Sequence, residues 1–158
     1  MNKHKVVLIA ALAFLGLSSI HAQEKKSKID IPWENGKLKV SENKRFLQHE
    51  NGNPFFWLGE TAWLLPSRSN RDEVDFFMNE TQKNGYNVVQ ISTLHTVPAM
   101  NAYGNWALSD GFNFNNIDKK GEYNYWQHVD YIVKRAKSKG MYIGIVCVWG
   151  SVVQQKQL

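Results

Sequence analysis

The order of apolar runs along this chain predicts an α/β fold that opens a parallel sheet, preceded by a small antiparallel β-hairpin. Three observations predict it. Residues 55–58 are an apolar run without the apolar–polar alternation of a half-exposed strand, so they read as a strand buried on both faces; 88–94, interrupted by Gln90 and Ser92, and the continuous apolar run 141–148 read as the next two strands. Between them lie two stretches with helical spacing, around Val74 and around Val129. The order strand, helix, strand, helix, strand makes two βαβ crossovers that share the middle strand.

The first residues are an address rather than a fold. Lys3, His4 and Lys5 form a basic start, residues 6–17 an apolar stretch, and Ala22 stands where an export signal is cut. The apolar stretch is too short for a convincing membrane span. Residues 1–22 therefore read as a signal peptide and the mature protein as exported, periplasmic or extracellular. Membrane contact is then confined to export, and an uncleaved anchor is the rival reading. Cys147 is the only cysteine, which excludes an internal disulfide framework, a multi-cysteine metal site and a lipid-anchoring cysteine behind the signal. Of the formal charge of +5, Lys3, Lys5, Lys25, Lys26 and Lys28 supply the excess. The remainder of the chain is near neutral, with no basic stripe for nucleic acid.

Residues 23–32 are polar and Lys-rich and read as a flexible leader, with the fold proper spanning 33–150. Residues 37–40 alternate as a half-exposed strand, Ser41, Glu42, Asn43 and Lys44 form a turn, and residues 45–49 return as its partner. Asn51 and Gly52 turn the chain into the first buried strand, the aromatic run after Pro54. Asn70 with Glu73 three residues on is a capping box, and Val74, Phe77 and Met78, with Phe76 beside them, form one apolar helix face ended by Asn84 and Gly85. The next strand, 88–94, leads into a long polar-aromatic loop, 95–122, of a length that is usually functional. Trp126, Val129, Ile132, Val133 and Ala136 then recur at helical spacing. Lys134, Lys137 and Lys139 enrich the last turns, and Gly140 closes the helix.

After the third strand, residues 151–158 carry no helix-length apolar pattern. Three parallel strands and a hairpin make a poor closed core. The chain therefore reads as truncated after the third strand, with 151–158 a non-native-looking tail.

The stretches PFFWLGETAWLLP, NGYNVVQIS and KGMYIGIVCVWG, set behind a hairpin, resemble the N-terminal part of apiosidase-like glycoside hydrolases. The resemblance spans 33–150 and rests most on the first stretch. It implies a (β/α)8 TIM barrel of a secreted enzyme, of a kind frequent in Bacteroidetes, that attacks plant polysaccharide side chains. Members often carry Asp where this chain has Glu60. Glycosidases use two carboxylates, and in similar barrels these come after later strands. The resemblance thus leaves the catalytic residues unknown here and the 158-residue chain inactive alone. It implies a carbohydrate partner, no cofactor and no metal.

Parallel α/β folds bind ligands at the C-terminal ends of their strands. The candidate substrate-binding residues are accordingly Glu60 and Trp63 after the first strand, Gln90, Ser92 and His95 on or after the second, and Trp149 after the third. Carboxylate and amide groups suit sugar hydroxyls, and indole faces suit the apolar side of a sugar ring. Each has a plainer rival: Glu60 as a turn cap, Trp63 as packing under the first helix, His95 as a loop hydrogen-bonder. Two other classes stay open. A non-catalytic carbohydrate-binding protein on a degenerate barrel would show pocket aromatics without a carboxylate pair. A doubly wound nucleotide binder is disfavoured because no Gly-rich phosphate loop comes after the first strand.

Overall fold

In the computed structural model, which describes residues 31–150, the chain builds two three-stranded sheets. The expected export signal, the leader up to residue 30 and the tail 151–158 lie outside the described residues. The α/β expectation holds for the described part.

A 3-10 turn at Pro32–Asn35 leads into strands β1 (Leu38–Val40) and β2 (Leu47–His49), which pair antiparallel with Leu38 opposite His49. The hairpin gains a third member, β3 (Pro54–Phe55), paired to β2. The second sheet is parallel, in the order β4 (Gly59–Thr61), β5 (Val88–Leu94), β6 (Tyr142–Val148). Between β4 and β5 lie a single helical turn, α1 (Leu65–Arg68), and helix α2 (Arg71–Lys83). Helix α3 (Tyr125–Ser138) connects β5 to β6.

The aromatic run is where sequence and structure part. Residues 55–58 were expected to form the first parallel strand, buried on both faces. Instead the run is divided between the two sheets. Phe55 is buried against His49 and Tyr142 in the antiparallel layer, whereas Phe56 is 78% exposed and Trp57 and Leu58 are exposed as well. Asn87 enforces the division: its side chain donates to the Phe56 carbonyl (2.7 Å) and accepts from Leu58 N–H (2.9 Å). Its backbone bonds to Leu58 and Tyr142 align the starts of all three parallel strands. The parallel strand therefore begins only at Gly59, and Glu60 lies inside it rather than after it.

Both capped helices arise from their sequences. Asn70 Oδ1 accepts from Glu73 N–H (3.0 Å) while the Glu73 carboxylate accepts from Asn70 N–H (2.8 Å). A second box, Asn124 with Gln127, starts α3 in the same way. Val74 and Met78 of α2 and Ile132 and Ala136 of α3 pack on Val89 and Ile91 of β5, so both helices cover one face of the parallel sheet. Phe76 was expected to share the α2 apolar face. It is 70% exposed, because two helical positions separate it from Val74 by about 200° of rotation.

The long loop has a core of its own. Ala99, Ala107 and Leu108 are buried with Leu94, Tyr125 and Val129 at the C-terminal end of the sheet. Asn101, itself buried, accepts with its side-chain oxygen from the N–H groups of Tyr103 and Asn105, and Trp126 Nε1–H donates to the Ala107 carbonyl (2.9 Å). Asp110 accepts from Phe112 N–H, Asn113 N–H and the Asn116 amide, and those donors hold its carboxyl below the usual carboxylate range. The aromatic-rich loop is thus organised around amide and carboxylate turns.

Candidate functional site

Side chains alternate between the faces of a strand, and residues paired across a parallel ladder point the same way. Glu60 pairs with Val89 and Val89 with Ile143, both of which pack in the helix-side core. Thr61 pairs with Gln90 and Gln90 with Gly144, so these three share the opposite face. A Cβ on Gly144 would lie 3.6 Å from the Trp57 ring and 3.7 Å from the Gln90 side chain, which places both over that glycine. Farther along the same face Ser92 pairs with Val146.

At the C-terminal end of this face three of the expected residues meet. Ser92 N–H donates to the Trp63 carbonyl and Trp149 N–H to the Leu94 carbonyl, each at 3.2 Å, which holds the two tryptophans on either side of β5. The indole of Trp63 meets that of Trp149 edge-on, with centroids 5.1 Å apart and planes at 71°. His95 lies against Trp149 from the loop side, also at 5.1 Å, tilted by 41°. Trp149 remains 37% exposed. Two polar atoms nearby in the chain are buried without a hydrogen-bond partner, Ser92 Oγ and His95 Nδ1. Leaving such a group unpaired costs about 1–3 kcal/mol.

The structure therefore brings together Trp63, His95 and Trp149, sets Gln90 and Ser92 on one face of the sheet, and leaves Glu60 out of the cluster. Glu60 is half-buried on the helix side, and its Oε1 accepts from the adjacent Thr61 N–H (3.1 Å). Among the described residues no group of three or more His, Cys, Asp or Glu side chains is placed to hold a metal ion.

Sequence reading passed over a second constellation. His128, fully buried on α3, sits between Ser69, Tyr103, Tyr123 and Tyr131. Its signal was present: His128 precedes Val129 and lies four residues before Ile132, on the apolar face of the helix.

The family model described as "Apiosidase-like, catalytic domain" matches residues 41–158. A crystal structure of a glycoside hydrolase family 5 protein from Bacteroides vulgatus ATCC 8482 is similar with a TM-score of 0.76 and 58% identity, over 81% of this chain and 28% of that one. A second solved structure, a glycoside hydrolase, is similar with a TM-score of 0.74 and 59% identity, over 80% of this chain and 28% of its own. The chain thus spans a little over a quarter of the length of either structure. No curated protein matches it.

Proposed function

Because the chain belongs to the family of apiosidase-like catalytic domains, we propose that it supplies the opening strands of a (β/α)8 glycoside hydrolase barrel whose strand-end face binds a sugar. The observation that carries this reading is the convergence of Trp63, His95 and Trp149 at the C-terminal end of a parallel sheet. In this reading the exposed face of Trp149 takes the C–H side of a sugar ring, and Trp63 braces it from behind. Ser92 and His95 offer hydrogen bonds to hydroxyls, since a hydroxyl and a neutral imidazole can each donate or accept. Gln90 lies deeper on the same face, available to a group that reaches down the barrel.

Hydrolysis needs a general acid and a second carboxylate about 5–9.5 Å apart. We assign that pair to strands after β6. Glu60 faces the helices, Asp110 is occupied by the loop's own donors, and Asp72 and Glu73 stand in the first turn of α2, where the helix dipole favours them. The substrate in this proposal is a plant cell-wall polysaccharide side chain, met by an exported enzyme.

The test is release of reducing sugar from plant cell-wall polysaccharide by the whole protein and by its Trp149→Ala form. Losing the buried part of one indole, about 1.5–3 kcal/mol, is expected to lower kcat/KM roughly ten- to a hundredfold. Equal activity of the two proteins would remove Trp149 from the site, and binding without any release would favour a carbohydrate-binding role instead.

A further inference from the structure

The constellation around His128 takes no part in the sugar-binding cluster, yet it fastens the loop that frames it. His128 Nε2 lies 2.8 Å from the Ser69 carbonyl oxygen. A carbonyl only accepts, so Nε2 carries the hydrogen. In the neutral ring Nδ1 is then a lone pair, and Tyr123 O–H, at 2.8 Å, donates to it. Ser69 lies at the junction of α1 and α2, and Tyr123 closes the long loop just before α3.

A second tie joins the middle of the loop to the same place. Tyr103 packs edge-on against His128 and Tyr123, at 5.5 and 5.2 Å, and its hydroxyl accepts from Arg71 N–H (2.8 Å). Two further charged or titratable groups face the imidazole from the helices. Arg71 of α2 lies over the Tyr123 ring at 3.8 Å, and Tyr131 of α3 stacks on His128 at 6.3 Å. Behind Tyr131 its hydroxyl donates to Asp75, which Arg135 also holds. Among the described residues no carboxylate hydrogen-bonds the imidazole. A proton on Nδ1 would turn that bond around, so that the Tyr123 oxygen accepts and its hydrogen must find another acceptor, and would add a buried charge close to Arg71.

We propose that His128 is a positioning residue for the strand-end site: neutral, it latches the loop 95–122 against the helices, and protonated, it lets that loop go, which makes sugar binding acid-sensitive. The loop begins with His95, which lies on Trp149, and packs on the strand ends through Ala99, Ala107 and Leu108. Burial, and secondarily Arg71, hold the imidazole below its ordinary pKa, while the bond to Ser69 works the other way. A depressed folded pKa means that the unfolded or released state takes up the proton first. The latch is therefore at full strength above about 6.5, the pKa of the free group, and weakens by up to about tenfold per pH unit below it, until the folded pKa is passed. The sugar part of this inference rests on the function proposed above; the latch itself does not.

Hydrogen exchange of the whole protein separates the two. The reporters are the amides of Tyr103, Gly104, Asn105 and Ala107, whose acceptors are Asn101 and Ala99. Between about pH 7.5 and about pH 5, protection corrected for intrinsic rates is expected to fall, by no more than about thirtyfold, and to stay level in His128→Gln, which does not titrate. Affinity for a mixture of plant cell-wall oligosaccharides is expected to fall over the same range, again only with His128 present. Protection that is flat with pH, or that falls equally in His128→Gln, overturns the latch. Loop release with unchanged affinity overturns the positioning role. Should His128→Gln not fold, Tyr123→Phe removes the O–H donor, and unaltered protection at neutral pH then overturns the proposal. Loop release with no sugar binding at any pH leaves the latch standing and refutes the carbohydrate reading.

Discussion

Glu60 and Thr61 are adjacent in the chain and face opposite sides of the sheet, and that single alternation decides their roles. A strand begun at Phe55 would have ended beside Glu60 and presented it at the rim. The strand begun at Gly59 turns it toward the helices, where it accepts from Thr61 N–H. The expectation that Glu60 lines a pocket depended on where the strand starts, and a run of aromatic residues does not reveal that. Glu60→Ala is accordingly expected to cost about 1 kcal/mol of stability, the usual worth of one hydrogen bond, with sugar affinity unchanged. Chemical denaturation paired with binding isotherms checks it, and lost affinity at full stability would return Glu60 to the site. That Trp63, His95 and Trp149 lie near one another was legible because each lies beyond its strand, at the same end of the sheet.

Local signals served well for single elements. The cap-x-x-Glu pattern at Asn70 and the bounds of β5 were readable because they depend on neighbours along the chain. The division of the aromatic run was not, because Asn87, distant in sequence, enforces it through Phe56 and Leu58. The box at Asn124 was readable in principle, with Gln in place of Glu. Asn70→Ala and Asn124→Ala should each lower stability by about 0.5–2 kcal/mol, measured as a shift in the denaturation midpoint. On α2 the two faces should differ sharply. Met78→Ala is expected to cost about 2–5 kcal/mol for an emptied core site, whereas Phe76→Ser should stay within about 0.5 kcal/mol, as at other surface positions. Equal costs at the two positions would mean that another element covers Phe76 in the whole protein.

Across the molecule, the helix-covered face of the sheet is closed over β5 and open over β6. Ile91 is fully buried while its ladder partner Ile145 is 49% exposed, and Cys147 beyond it is exposed too. With Phe56 and Trp57 exposed at the other end, the segment 31–150 presents apolar surface on more than one side. A parallel sheet is normally covered on both faces, so this segment expressed alone is expected to aggregate or to bind an apolar dye, as loosely packed states do. A sharp, reversible thermal transition of a monomer would show that the three-stranded unit suffices by itself. The central claim, that the strand ends form a sugar site, is met most directly by isothermal titration of the whole protein with plant cell-wall oligosaccharides, wild type beside Trp149→Ala and Trp63→Ala. A sugar site there predicts saturable binding that weakens at least tenfold in Trp149→Ala and less in Trp63→Ala; equal affinity in all three proteins would contradict it.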